Sequence, residues 1–132
     1  MDQFNQEAQV IPKGYQILAD RLEPAGLKFN KDAAASFASS NNLWLKLEPE
    51  PNNKHDKNAI RVISGCSKGW FGTNRRFIGY VPKEISKKII EGGIWEQIKP
   101  RLTDAYVGNS GYVSIMFQIL GPKELEHLFK SS

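Results

Sequence analysis

Cysteine is almost missing from this chain: Cys66 stands alone, so no internal disulfide can form and every small disulfide scaffold is excluded. A lone thiol fits a reducing compartment. Histidine is nearly as scarce. His55 and His127 together with Cys66 show no zinc-ligand spacing, so neither a metal nor another cofactor is expected. Long apolar runs are lacking as well. Val113-Ser114-Ile115-Met116-Phe117 typifies the longest, far below the roughly 20 residues of a spanning helix, and the N-terminus lacks the apolar centre of a signal peptide. These absences lead to the expectation of a soluble intracellular protein without membrane partners, cytoplasmic in a bacterial or phage-like setting. The G-x-S-x-G, P-loop and HExxH signatures are absent too. Glu48, Glu50 and Asp56 lie close enough in sequence to suggest a carboxylate cluster for Mg²⁺, but Pro49 and Pro51 space them apart. The chain is therefore expected to bind rather than to catalyse.

What is present suffices for one ordinary domain. The 132 residues are 40% hydrophobic, enough to hold a conventional core without staples. Eighteen Lys and Arg against 14 Asp and Glu leave a net charge of +4, which favours an anionic partner.

The organisation reads as a flexible segment over 1–12, able to lend Val10 and Ile11 to an edge, a folded unit over 13–121, and a short helix or tail over 122–132. Ala25-Gly26-Leu27-Lys28-Phe29 is predicted to end an extended segment that starts near Gly14. Asn30 precedes the helix formers Lys31 to Ala38 in the position of a cap. Leu43, Leu45 and Leu47 alternate, as in a half-buried strand, with Trp44 on the opposite face. The Pro- and Asn-rich stretch 48–56 is predicted as a loop. Strands over 58–63 and 76–81 then form a hairpin across a Gly/Ser/Lys-rich connection. Pro82 suits the first turn of a helix striped by Ile85, Ile89 and Ile90 and stopped by Gly92-Gly93. Two further strands, 95–107 and 111–120, join through Gly108-Asn109-Ser110, and 122–130 has the pattern of an amphipathic tail helix. Most connections are too short for parallel crossovers. The fold class expected is mainly β with two or three short helices (α+β), a small curved antiparallel barrel of about six strands.

The sharpest pattern is Leu47-Glu48-Pro49-Glu50-Pro51-Asn52-Asn53-Lys54-His55-Asp56-Lys57-Asn58-Ala59-Ile60-Arg61-Val62, followed by Ile78-Gly79-Tyr80-Val81-Pro82-Lys83-Glu84. Together these resemble the HIRAN family, in which EP-x-N-x-x-D-x-N-A-I-x-V ends one strand and I-G-Y-[VL]-[PK] precedes a helix. Gly26-Leu27-Lys28-Phe29 looks like the family's glycine-hydrophobic-basic-aromatic segment, so the resemblance spans roughly 15–120. It implies an OB-like barrel that binds single-stranded DNA, with characterised members holding its free 3′ end in replication-fork remodelling ATPases. The ATPase of those relatives belongs to a separate motor domain, for which this chain has no room.

Carried over by motif position, Asp56 would meet the terminal 3′-hydroxyl, since a continuing phosphate would be repelled by its carboxylate. Lys28 and Lys83 match phosphate contacts, Phe29 a stacking ring, and Asn53 a contact to a base or sugar edge. His55 stands where DNA-binding relatives often have tyrosine, and Tyr80 where histidine occurs, so aromatic surface is retained but rearranged. Tyr112 matches another aromatic beside the pocket. Partners implied are single-stranded DNA and repair or replication proteins.

Each residue also has a plainer reading. Asn53, Asp56 and Asn58 suit turn closure through backbone amides, and Phe29, Tyr80 and Tyr112 suit cover for a core. Trp44, Trp70 and Trp95 share that ambiguity. Arg75-Arg76 is the basic pair placed to reach phosphates farther along a strand, whereas Lys54, Lys57, Lys68 and Lys87 read as solvated surface. A protein-interaction barrel that binds a peptide or partner subunit through an exposed aromatic groove is the alternative function.

Overall fold

In the computed structural model, residues 3–67 and 73–130 are described. Trp70 and Lys68, singled out above, lie outside the described residues. Six strands carry the fold: β1 (Tyr15–Leu22), β2 (Asn41–Pro49), β3 (Ile60–Ser67), β4 (Thr73–Tyr80), β5 (Lys99–Val107) and β6 (Val113–Pro122). Helix α1 (Lys31–Ala38) follows β1, and α2 (Lys83–Glu91) follows β4. Among the described residues no helix is long and apolar enough to cross a membrane.

The strands form two antiparallel three-stranded sheets, β2-β3-β4 and β1-β6-β5. The mainly β class and its six strands agree with the sequence reading. The barrel does not close: β2 packs beside β5, but the sheets remain separate ladders. Register shifts at Val62/Ile63, Leu102/Asp104 and twice along β1 bend the sheets instead, because an unpaired extra residue kinks and twists its strand.

One core fills the space between the sheets. Leu43, Leu45 and Leu47 face Ile60, Val62 and Ile78 within the first sheet, while Leu102, Ile115, Phe117 and Ile119 come from the second. Helix α1 adds Ala33, Ala34, Phe37 and Ala38, a stripe at helical spacing. Helix α2 buries Ile89 and ends where Gly93 turns left-handed at φ 65°. There the Gly93 and Ile94 amides bond the carbonyls of Ile90 and Ile89, the Schellman pattern that the Gly92-Gly93 pair predicts.

Five local expectations change. Leu27–Asn30 is a 3-10 turn rather than a strand end; Gly26, at φ 80°, swings the chain aside and only Ala25 pairs, with Tyr80. Asn30 precedes α1 but makes no cap bond; its amide donates to the Gly26 carbonyl instead. Trp95–Gln97 and Lys123–Leu128 are short 3-10 turns, the latter packing Leu125, Leu128 and Phe129 on the core. A segment this short gains little from i→i+4 bonding. Val10 and Ile11 join no edge and are exposed. The segment before them is instead fastened: Phe4 bridges Leu43, and buried Gln9 donates to the Leu43 carbonyl and accepts from the Leu102 amide.

Candidate nucleic-acid interface

The site begins with a glycine. At Gly79 a Cβ would lie 2.6 Å from the Ala25 carbonyl oxygen and 2.9 Å from Pro24 Cβ, so only glycine lets the chain before α1 lie against β4. Ala25 and Tyr80 then exchange both backbone hydrogen bonds, at 2.7 and 2.9 Å. The turn after Gly26 packs Leu27 on the core and projects Lys28 and Phe29 outward. Phe29 is 80% exposed, and the Lys28 ammonium lies 5.2 Å from its ring centroid.

Below Phe29 runs an open groove of about 510 Å³ between the start of α1 and the edge of β4. Lys28, Lys31 and Arg76 supply its cations, Phe29 and Phe77 its rings, and Asp32 its one acid. Lys28 and Lys31 also line a neighbouring groove of about 250 Å³ with Leu27, Val113 and Tyr112. Tyr112 is 60% exposed and pairs with Tyr106 at 6.4 Å. Cations alternating with exposed rings are what a single strand needs, one for phosphates and the other for base faces.

At the other side of Phe77 stands a polar cluster. The Phe77 and Tyr80 rings meet edge-on at 5.1 Å. The Tyr80 hydroxyl donates to Glu50 Oε1 at 3.0 Å, and Asn53 Nδ2 donates to the same oxygen at 2.6 Å. Asn53 Oδ1 accepts from the amides of His55 and Asp56, so this one side chain shapes the loop. Asp56 Oδ1 accepts from the Asn58 amide at 2.9 Å, which is the turn-closing use; no other side-chain bond to Asp56 occurs among the described residues. Asn58 ties the loop to α2 through Glu91. Glu48 and Glu50 both turn onto Arg61, whose guanidinium lies 5.0 Å from the Phe77 ring centroid. Among the described residues no group of three or more His, Cys, Asp or Glu gathers for a metal, and Glu48 and Glu50 are both engaged by that arginine.

Hydrogen bonds from Asn53 and then Tyr80 hold the Glu50 carboxyl below its ordinary 4.5. Burial and then the bond to Glu50 push the Tyr80 hydroxyl above its ordinary 10.0. The lowered group stabilises the folded loop above 4.5, and that contribution is lost as pH falls through the folded value; the raised group stabilises it below 10.0, and that is lost as pH rises through the folded value. Amide exchange at Asn53 and Asp56 should therefore be slowest, after correction for intrinsic rates, between those limits. Glu50→Gln should flatten the acid side of the profile, and an unchanged acid limb would contradict the cluster's role.

The structure thus brings Lys28 and Phe29 together in the groove and Asn53, Asp56 and Tyr80 together beside it, with exposed His55 on the same loop. Tyr112 lies on the far side of Lys28. Lys83 is exposed at the start of α2 and lines neither groove. Sequence reasoning passed over Phe77, Lys31 and Arg61 as contributors and weighed Glu50 only as a metal ligand. The outward parity of Phe77 beside Arg76 carried a signal.

Residues 39–94 match the family model of the HIRAN domain. The resemblance read from the sequence over about 15–120 is upheld over these matched residues. The matched HIRAN residues hold Asn53, His55, Asp56, Tyr80 and Lys83, whereas Lys28, Phe29 and Tyr112 lie outside them and reach the site through the tertiary fold. Among solved structures the chain is similar to the HIRAN domain of human HLTF, with 21% identity, coverage of 86% of this chain and 85% of that one, and a TM-score of 0.46. No curated protein matches the sequence.

Proposed function

We propose that this protein is a non-catalytic module that binds single-stranded DNA at a free 3′ end and recruits or assists repair or replication enzymes in an intracellular, reducing setting. The observation that carries the reading is the groove lined by Lys28, Phe29, Lys31, Arg76 and Phe77, continuous through the Phe77–Tyr80 contact with the Asn53–Asp56 loop. The strand's phosphates meet the cations, and its last base meets Phe29. Of the two carboxylates on that loop, Glu50 is committed to Asn53, Tyr80 and Arg61, while Asp56 spends only one oxygen on the Asn58 amide. Asp56 thus retains an acceptor for a 3′-hydroxyl and a charge that opposes a 3′-phosphate. His55 and Tyr80 flank the terminal sugar and base, Asn53 contacts an edge, Lys83 and Tyr112 meet the strand farther out.

Fluorescence anisotropy with matched oligonucleotides ending in a 3′-hydroxyl or a 3′-phosphate tests this. A like-charge contact at 4 Å in water costs about 1 kcal/mol, so the phosphate end should bind about fivefold more weakly. Asp56→Ala, if folded, should erase that preference; equal discrimination by the variant would remove Asp56 from the role. With about three phosphates neutralised, log K should fall against log salt with a slope of about −2. A salt-independent affinity, or none for any oligonucleotide, would favour a peptide or partner subunit in the groove.

A further inference from the structure

The outer face of the β2-β3-β4 sheet is ordered in three rows. Trp44 lies opposite Gly65 and then Arg75; Lys46 opposite Ile63 and then Phe77; Glu48 opposite Arg61 and then Tyr80. A Cβ at Gly65 would sit 2.2 Å from atoms of the Trp44 ring, so the indole lies flat on bare backbone. The Arg75 guanidinium lies 5.4 Å from that ring's centroid. Charge on this face is segregated. Glu48 and Glu50 are both drawn to Arg61 at one end, and among the described residues no carboxylate pairs with Lys46 or Arg75 at the other. Glu7, with Asn5 and Ala8, borders Trp44 from the N-terminal segment. Phe77 joins this face to the groove, since its ring lines the groove and also meets Arg61.

We propose that this face is a second subsite for the same strand, in which Arg75, steadied on Trp44, binds a backbone phosphate inward of the nucleotide held between Phe29 and Phe77. The inference rests on the strand-binding reading above. A guanidinium stacked on an indole keeps its edge donors free for phosphate oxygens and loses less freedom when it binds them. Arg75 stands two residues from Phe77 along β4, about 7 Å at 3.4 Å per residue. That spans about two nucleotides of stacked strand at 3.4 Å each. Lys46 adds a second cation beside the path, which leads from the 3′ end held next to the Glu48–Arg61–Tyr80 row towards Arg75 at the other end of the sheet.

The test compares unlabelled oligothymidylates of two and eight nucleotides, each with a free 3′-hydroxyl, as competitors in anisotropy. Wild type should bind the octamer more tightly than the dimer. Arg75→Ala, an exposed substitution with no core contact to lose, should weaken the octamer about fivefold and lower its salt slope by about 0.7 while leaving the dimer unchanged. Trp44→Leu should do the same through a loosened Arg75, with Arg75→Lys retaining part of the octamer affinity. An octamer that binds no better than the dimer overturns the subsite, as does an Arg75→Ala loss shared equally by both lengths. Unchanged octamer affinity in Arg75→Ala assigns the face to another class of partner. Failure of wild type to bind either length instead overturns the strand-binding reading on which the subsite stands.

Discussion

Phe29→Ala is expected to weaken single-strand binding about tenfold or more while moving the thermal midpoint by no more than about 2 °C. The ring is 80% exposed and contributes nothing to the core, so its loss belongs with surface substitutions worth about 0.5 kcal/mol or less. A base stacked on an aromatic side chain is worth about 1–3 kcal/mol, which corresponds to about fivefold to a hundredfold in affinity. Part of the loss comes through Lys28, whose ammonium rests 5.2 Å from the ring and loses its guide. Phe29→Trp should keep binding and Phe29→Leu should lose most of it, because area is retained in both but the flat π-face only in the first. Anisotropy with a free-ended oligonucleotide, beside differential scanning fluorimetry, makes the comparison. Full affinity in Phe29→Ala would take the ring out of the interface.

Gly79→Ala should produce the opposite pairing, with stability and binding falling together. A methyl group at residue 79 meets backbone, 2.6 Å from the Ala25 oxygen, and the φ of +153° is itself unfavourable for a side chain. Overpacking of this kind costs about 1–3 kcal/mol. Relief requires the Pro24–Ala25 segment to lift off β4, which breaks the paired bonds between Ala25 and Tyr80 and carries the Leu27–Asn30 turn away from Phe77. Urea unfolding should show the lowered stability, and at temperatures where the variant remains folded its affinity should still be reduced by the displaced Lys28 and Phe29. A folded Gly79→Ala protein with wild-type affinity would show that the bridge does not position the groove.

These two substitutions also mark where the sequence was readable. Phe29 and Gly79 were picked out by motif, yet the physical bond between them, a carbonyl from residue 25 seated where a Cβ would stand, has no trace in either local stretch. Asn53 carried two readings, a ligand contact and a turn closer, and in the fold it organises the loop, accepting two loop amides and donating to Glu50 and Tyr80. Glu50 and Asp56 looked alike as carboxylates; their different partners divide them, one committed to an arginine and a tyrosine, the other to one turn amide.

Local chemistry by itself determined the period-two leucines of β2, the hairpin of β3 and β4, the glycine-terminated α2 and the turn before β6, since each depends on neighbours within a few residues. It also determined the HIRAN resemblance, because those motif residues are contiguous. Only the tertiary structure decided that the sheets stay open, that Gln9 ties the N-terminal segment between Leu43 and Leu102, and that Arg76 and Phe77 join Lys28 and Phe29 across the edge of β4. Those arrangements pair residues tens of positions apart, and their energies come from packing and hydrogen bonds that exist only once the whole chain has condensed.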